Sequence, residues 1–277
     1  MTPDEYCKNK AASSGSSFYY SFLFLAPERR RAITALYAFC REVDDVVDEI
    51  EDQQLARTKL AWWRNEVENL FAGKPQHPVT RALAPALQPF GITARRLNEI
   101  IDGMQMDLDQ SRYLDFKGLE NYCYHVAGVV GLLAVGIFGY RNPQTLEYAK
   151  NLGLAFQLTN IVRDVGDDAR RNRIYLPMDE LKNFEVPAAD IVNARYSENF
   201  SRLMRFQAER ARSYYAAAFA ALPADDRRAQ RAGLIMAAIY GTVLDEVEAD
   251  GFKVLTQRTS LTPMRKLWIA VRTWLTT

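Results

Sequence analysis

The sequence is poor in the residues on which many reactive centres are built. It has three cysteines, Cys7, Cys40 and Cys123, far apart and without CxxC spacing. An odd, scattered set argues against a disulfide framework and reads as free buried thiols in a reducing cytosol. Only two histidines are present, His77 and His125. That argues against a histidine-rich zinc centre or a serine–histidine–aspartate hydrolase. Any bound metal should then have oxygen ligands, which points to magnesium or manganese. Neither sign of charge dominates: 35 Lys and Arg face 34 Asp and Glu, for a net charge of +1. No bulk field draws the chain to nucleic acid or to an anionic membrane, and any basic site must be local. The longest uncharged run of the apolar middle, Val126 to Tyr140, is too short to span a bilayer and reads as a buried helix. The opening residues carry Asp4, Glu5, Lys8 and Lys10 and do not read as a signal peptide.

What is present is an ordinary globular composition, 48% hydrophobic and 25% charged. Helical periodicity dominates and strand signals are sparse. Prolines mark helix starts at Pro27, Pro143, Pro177 and Pro263. Helices are expected at about 27–50, 54–73, 95–109, 119–140, 143–170, 197–222 and 227–249, with another after Pro263. The proline-rich stretch 73–91 reads as a connection around one short helix, and 170–191 as a loop-rich connection. The expectation is a single domain over residues 1–277, an all-α bundle around a central cavity.

Chemistry concentrates in two stripes. In the helix after Pro27, a spacing of four places Tyr37, Arg41, Asp44 or Asp45, and Asp48 together. Like charges at that spacing repel, and the helix dipole disfavours them near a C-terminal end. A compensating cation is therefore expected. The plain alternative is an exposed acidic helix end. In the helix after Pro143, Gln157, Asn160, Asp164 and Asp168 form a polar stripe flanked by Leu154, Leu158, Ile161, Val162 and Val165. Apolar flanks imply burial, and a buried polar stripe requires partners.

Carboxylate and amide oxygens are hard ligands for magnesium. Ions held between the stripes would grip a diphosphate and neutralise it as it leaves. Arg41, Arg163, Arg170, Arg171 and Arg173 lie beside the stripes, and guanidinium forks suit phosphate oxygens. A carbocation would need an aromatic wall. Candidates are Phe18, Tyr19, Tyr20, Phe22, Tyr37, Tyr122, Tyr124, Tyr175 and Tyr240. The small residues of 126–136 fit either close helix packing or a long lipid chain.

Taken together, these segments resemble the squalene/phytoene synthase family of head-to-head prenyltransferases. The matching pieces are Ser17–Phe22, Tyr37–Arg41 with Asp44–Asp48, Tyr122–Gly131, Gln157–Asp168 and Arg173–Pro177. The resemblance implies an all-α isoprenoid-synthase bundle around a central apolar cavity. It implies Asp44, Asp48, Asn160, Asp164 and Asp168 around magnesium, with manganese as a substitute. It also implies Ser17, Arg41, Arg163, Tyr175 and Arg258 near the diphosphates. Phe18, Tyr37, Tyr122, Val126, Gly131, Gln157 and Tyr240 would line the pocket. Asp44, Asp48, Asp164 and Asp168, with Tyr37 and Arg41, are the expected catalytic set.

Within the family, Ser17–Phe22 and the run 29–48 look most like bacterial presqualene diphosphate synthases of hopanoid pathways, which use farnesyl diphosphate. A phytoene synthase using geranylgeranyl diphosphate is the nearest alternative. A terpene cyclase would share only the metal chemistry. A non-enzymatic assembly factor of the same fold is more distant, because it predicts eroded acidic stripes. NADPH is not expected to be required, and no glycine-rich dinucleotide fingerprint is present. The eukaryotic C-terminal membrane anchor is not seen. The expected partners are prenyl diphosphates, with product handed to another isoprenoid-pathway enzyme, and no nucleic acid. The expected location is the cytoplasm. The segment after Pro263 fits either a core-packing helix or a contact at the inner membrane surface.

Overall fold

A computed structural model describes residues 1–13 and 18–277. The expected Ser17 therefore lies outside the described residues. The chain opens with α1 (Pro3–Ser13) and the short α2 (Phe18–Phe22), neither of which the periodicity predicted. Then come α3 (Pro27–Glu49), α4 (Gln53–Phe71), α5 (Pro78–Leu83) and α6 (Ala94–Asp109). α7 (Phe116–Cys123) runs through a π-helical turn at Tyr124–Gly128 into α8 (Val129–Phe138). α9 (Thr145–Arg170) follows, then α10 (Met178–Asn183), α11 (Ala188–Val192), α12 (Glu198–Ala221), α13 (Arg231–Ala249) and α14 (Pro263–Thr276). Among the described residues there is no strand, only an isolated bridge between Arg112 and Ile174.

Local chemistry sets most boundaries. Pro27 and Pro263 occupy the first turn of α3 and α14, where a missing N–H loses nothing. Side chains of Asp52, Thr93, Asp115 and Ser197 cap α4, α6, α7 and α12 by accepting backbone N–H bonds. Two expected starts shift. Pro143 sits in the turn before α9, and α13 begins at Arg231 after a 3₁₀ turn at Ala224–Asp226. The expected loop 170–191 contains α10 and most of α11.

The core has two clusters. One gathers around α9, α12 and α13, the other around α3 to α6 and α8. Phe18, Tyr124 and Val126 pack against both. Glycine lets α8 and α9 meet closely: a Cβ at Gly131 would fall 2.4 Å from the Ala149 carbonyl oxygen, and one at Gly153 would fall 2.4 Å from that of Ala127. Close packing is thus the main reason for glycine in this run. The run is also longer than the sequence suggested. Phe116–Phe138 is long and apolar enough to cross a membrane by length and composition, yet 44% of its apolar window is buried within the protein. It packs against α3, α6 and α9 of the bundle.

Candidate active site

α3 and α9 bring their C-terminal halves to one cavity of about 840 Å³. Asp44 and Asp48 line it from α3, while Gln157, Asn160, Asp164 and Asp168 line it from α9. The two stripes therefore share one chamber. The Asp44 or Asp45 ambiguity also resolves. Asp44 faces the cavity, and Asp45 is held by Lys10 of α1 at 2.6 Å and by Arg41 at 2.5 Å.

The compensating cations come from near and far. Arg41 reaches Asp44 at 2.5 Å. Asp48 receives Arg171 and Arg173, each at 2.8 Å, from beyond the end of α9. Asp164 receives Arg163 at 2.5 Å and Arg258 at 2.8 Å. Arg170 turns instead to Asp167 and to the Leu255 carbonyl.

The acids crowd one another, and their protonation follows. Burial, then Asp48, pushes Asp44 up to about 7. Burial, then Asp164 and Asp107, pushes Asp168 up to about 8. Asp164 behaves oppositely: burial would raise it, but the Arg163 and Arg258 guanidiniums outweigh burial and hold it below the ordinary carboxylate range.

Asp107, on α6, is a site residue that sequence reasoning missed. It accepts a 2.8 Å bond from the Tyr122 hydroxyl and a 2.9 Å bond from the Tyr175 hydroxyl. Burial pushes it up to about 6, against the pull of Arg173 and the two tyrosines. The available signal was one turn of spacing between Gly103, Met104 and Asp107 on the inward face of α6. It was weak, because α6 also carries Asp102 and Asp109 on its exposed side.

Below the polar chamber lies an apolar one of about 220 Å³. Phe18, Tyr37, Arg41, Asp44, Tyr122, Gln157, Asn160 and Tyr240 border both. Val126, Gly131, Phe22, Met104, Phe138 and Met236 are among the residues that line only the apolar part. Phe18 packs on Tyr37 at 5.3 Å and on Tyr240 at 6.3 Å, and Phe156 packs on Tyr240 at 4.9 Å. Phe156 is a second omission, since its place in the sequence is that of any core aromatic. Of the expected aromatic wall, Tyr20 and Tyr124 line neither chamber; Tyr124 borders a separate surface groove.

The donor set fits a hard divalent ion. The Asn160 Oδ1 atom is buried and has no hydrogen-bond partner, so an acceptor oxygen is left over beside the carboxylates. Among the described residues, no three carboxylate, histidine or cysteine side chains converge into a ready cage. Magnesium commonly takes one or two carboxylates and completes its shell with substrate phosphates and water. Donor chemistry therefore fits, with the remaining ligands left to the substrate.

The sequence model described as squalene/phytoene synthase matches residues 11–265. This chain belongs to the squalene/phytoene synthase family. It is 37% identical to a phytoene synthase of Arthrospira platensis, over 95% of this chain and 89% of that one. Plant chloroplastic phytoene synthases match over 94% of this chain, which spans about two thirds of their length. Among solved structures, a dehydrosqualene synthase superposes with a TM-score of 0.85 at 29% identity, covering 98% of this chain and 95% of that one. A squalene synthase of Alicyclobacillus acidocaldarius gives a TM-score of 0.80 at 25% identity, covering 90% and 94%. The expected all-α family bundle is therefore the fold, and the family is one of head-to-head prenyltransferases.

Proposed function

We propose that this family member joins two farnesyl diphosphates head to head, forming presqualene diphosphate and releasing pyrophosphate. The observation that carries this reading is the shared chamber: two acidic stripes ringed by arginines, opening onto an apolar chamber. The site residues are those lining it, with Asp44, Asp48, Asn160, Asp164 and Asp168 as metal ligands. Magnesium, when bound, supplies charge neutralisation and Lewis acidity at the diphosphate.

The protein's own groups do the rest. Arg163, Arg171, Arg173 and Arg258 are placed to take diphosphate oxygens as the carbon–oxygen bond of one substrate breaks. The apolar chamber holds the hydrocarbon chains and keeps water from the allylic cation. Phe18, Tyr37, Phe156 and Tyr240 present ring faces that favour positive charge without trapping it. The double bond of the second substrate attacks the cation, and loss of one proton closes the cyclopropane.

The farnesyl reading is supported by the likeness to a dehydrosqualene synthase and a squalene synthase. A second reading is condensation of geranylgeranyl diphosphate to phytoene, favoured by the likeness to the Arthrospira platensis phytoene synthase.

One assay separates them. Purified protein is given farnesyl or geranylgeranyl diphosphate with magnesium, with and without NADPH, and products are identified by mass. Presqualene diphosphate from farnesyl diphosphate alone supports the first reading; onward conversion gives squalene, hydroxysqualene or dehydrosqualene. Preference for geranylgeranyl diphosphate transfers the reading to the second. Turnover undiminished by a chelator overturns the metal assignment.

A further inference from the structure

α14 is amphipathic in an inverted sense. At about 100° per residue, Ile269 and Ala270 turn inward and are buried. Met264, Leu267, Trp268, Val271 and Leu275 form the opposite stripe and face solvent, with Met264 77%, Trp268 59% and Leu275 69% exposed. The turn after α2 extends this apolar face: Leu23 and Phe24 are exposed, and Phe24 stacks on Trp274 at 5.5 Å. Scattered exposed apolar residues need no explanation, whereas a contiguous patch does.

The charge borne by this C-terminal segment has one sign, although Glu246 of α13 pairs with Arg265 at 2.6 Å. No Asp or Glu occurs from Gly251 to Thr277, which carries Lys253, Arg258, Arg265, Lys266 and Arg272. Arg265 and Arg272 flank one edge of the stripe, and Arg272 lies over the Trp268 ring at 5.2 Å. An outward apolar stripe with tryptophan and a cationic flank matches the chemistry of an anionic lipid interface. The patch also adjoins the site. Thr259, Ser260, Leu261 and Lys266, which lead into or belong to α14, line the wall of the polar chamber.

We propose that the outer face of α14, with the Leu23–Phe24 turn, docks on a bilayer containing anionic lipid and holds the chamber's edge against it. A lipid destination for product rests on the function proposed above; the docking itself does not, and is tested without substrate. The full chain is sedimented with phosphatidylcholine vesicles, with and without phosphatidylglycerol. The expected result is binding that needs phosphatidylglycerol and weakens as salt rises from about 0.01 M to about 1 M. The variant Trp268→Glu with Leu275→Glu, both on the outward face, should bind roughly tenfold more weakly or worse. Its circular dichroism and its turnover of detergent-dispersed substrate should match the parent. As a second probe, Arg265→Gln with Arg272→Gln should weaken binding only to the anionic vesicles.

Equal binding to pure phosphatidylcholine overturns the anionic-lipid assignment. So does unchanged binding by a folded double-Glu variant. A dimer that the same substitutions dissociate, with no vesicle binding, assigns the face to a second copy instead. Vesicle binding by a protein inactive on every prenyl diphosphate would sink the proposed reaction and leave the docking surface standing.

Discussion

Arg258 donates through Nε to Asp164 at 2.8 Å, joining residues 94 positions apart. Gly166 makes this pairing available. The segment after α13 crosses α9 there, and the Gly166 N–H donates to the Val254 carbonyl at 3.1 Å. A Cβ on Gly166 would fall 2.3 Å from the Leu255 carbonyl oxygen. The contact is backbone against backbone, so no flexible side chain can give way.

Gly166→Ala should therefore lift this segment and misplace Arg258. A destabilisation of about 1–3 kcal/mol is expected, as for overpacking elsewhere, and activity should fall beyond what the lost stability explains. Urea unfolding with steady-state kinetics on the same sample checks both. A variant as stable and as active as the parent would show that the crossing carries no constraint.

Asp48→Asn and Asp164→Asn each keep shape and remove a charge that two arginines now hold. Turnover should drop by roughly 100- to 1,000-fold, the scale of losing one preorganised electrostatic partner. The far-ultraviolet circular dichroism should stay helical. Full activity in both would refute the metal-ligand reading of the stripes.

The raised carboxyl of Asp168 makes a prediction about stability and pH. Its folded value is about 8, against about 3.9 in an unfolded chain. Between those values the folded state holds more protons, so this group's contribution is complete below about pH 4 and fades as pH rises through about 8. Without metal, Asp168→Asn should gain stability relative to the parent over that window, on the order of 1–3 kcal/mol. Thermal melts at intervals from pH 5 to pH 9, roughly spanning that window, check the sign. A difference that is flat or shrinks with rising pH would contradict the crowding of Asp168 by Asp164 and Asp107.

Asp107→Asn tests the residue that the sequence concealed. Two tyrosine hydroxyls donate to Asp107, and an amide offers one oxygen where a carboxylate offers two. One tyrosine must then turn away or lose its partner. Turnover should fall about 10- to 100-fold, the range seen when a partner orienting a site group is lost. Retention of full activity would demote Asp107 to a packing role.

Much was legible in the sequence because it is local. The stripe Gln157, Asn160, Asp164 and Asp168 follows from spacing alone, and its apolar flanks announced that it would be enclosed. The α3 stripe was read with one ambiguity, Asp44 against Asp45, which periodicity cannot resolve because neighbouring positions differ by only about 100°. Lys10 of α1 decides it by holding Asp45 away from the cavity. Asp107 and Phe156 stayed hidden, since an acid on an amphipathic helix and an aromatic among apolar neighbours each have a commonplace explanation.

The residue pattern by itself determined the long helices, the two rows of oxygen donors and the family, because all three depend on which side chains recur at short, regular intervals. Tertiary structure alone decided which distant arginines neutralise which acids, that the two stripes share a chamber, and that the largest apolar side chains of α14 face outward. Those depend on where separate helices come to rest against one another, and spacing along a single helix carries no record of its neighbours.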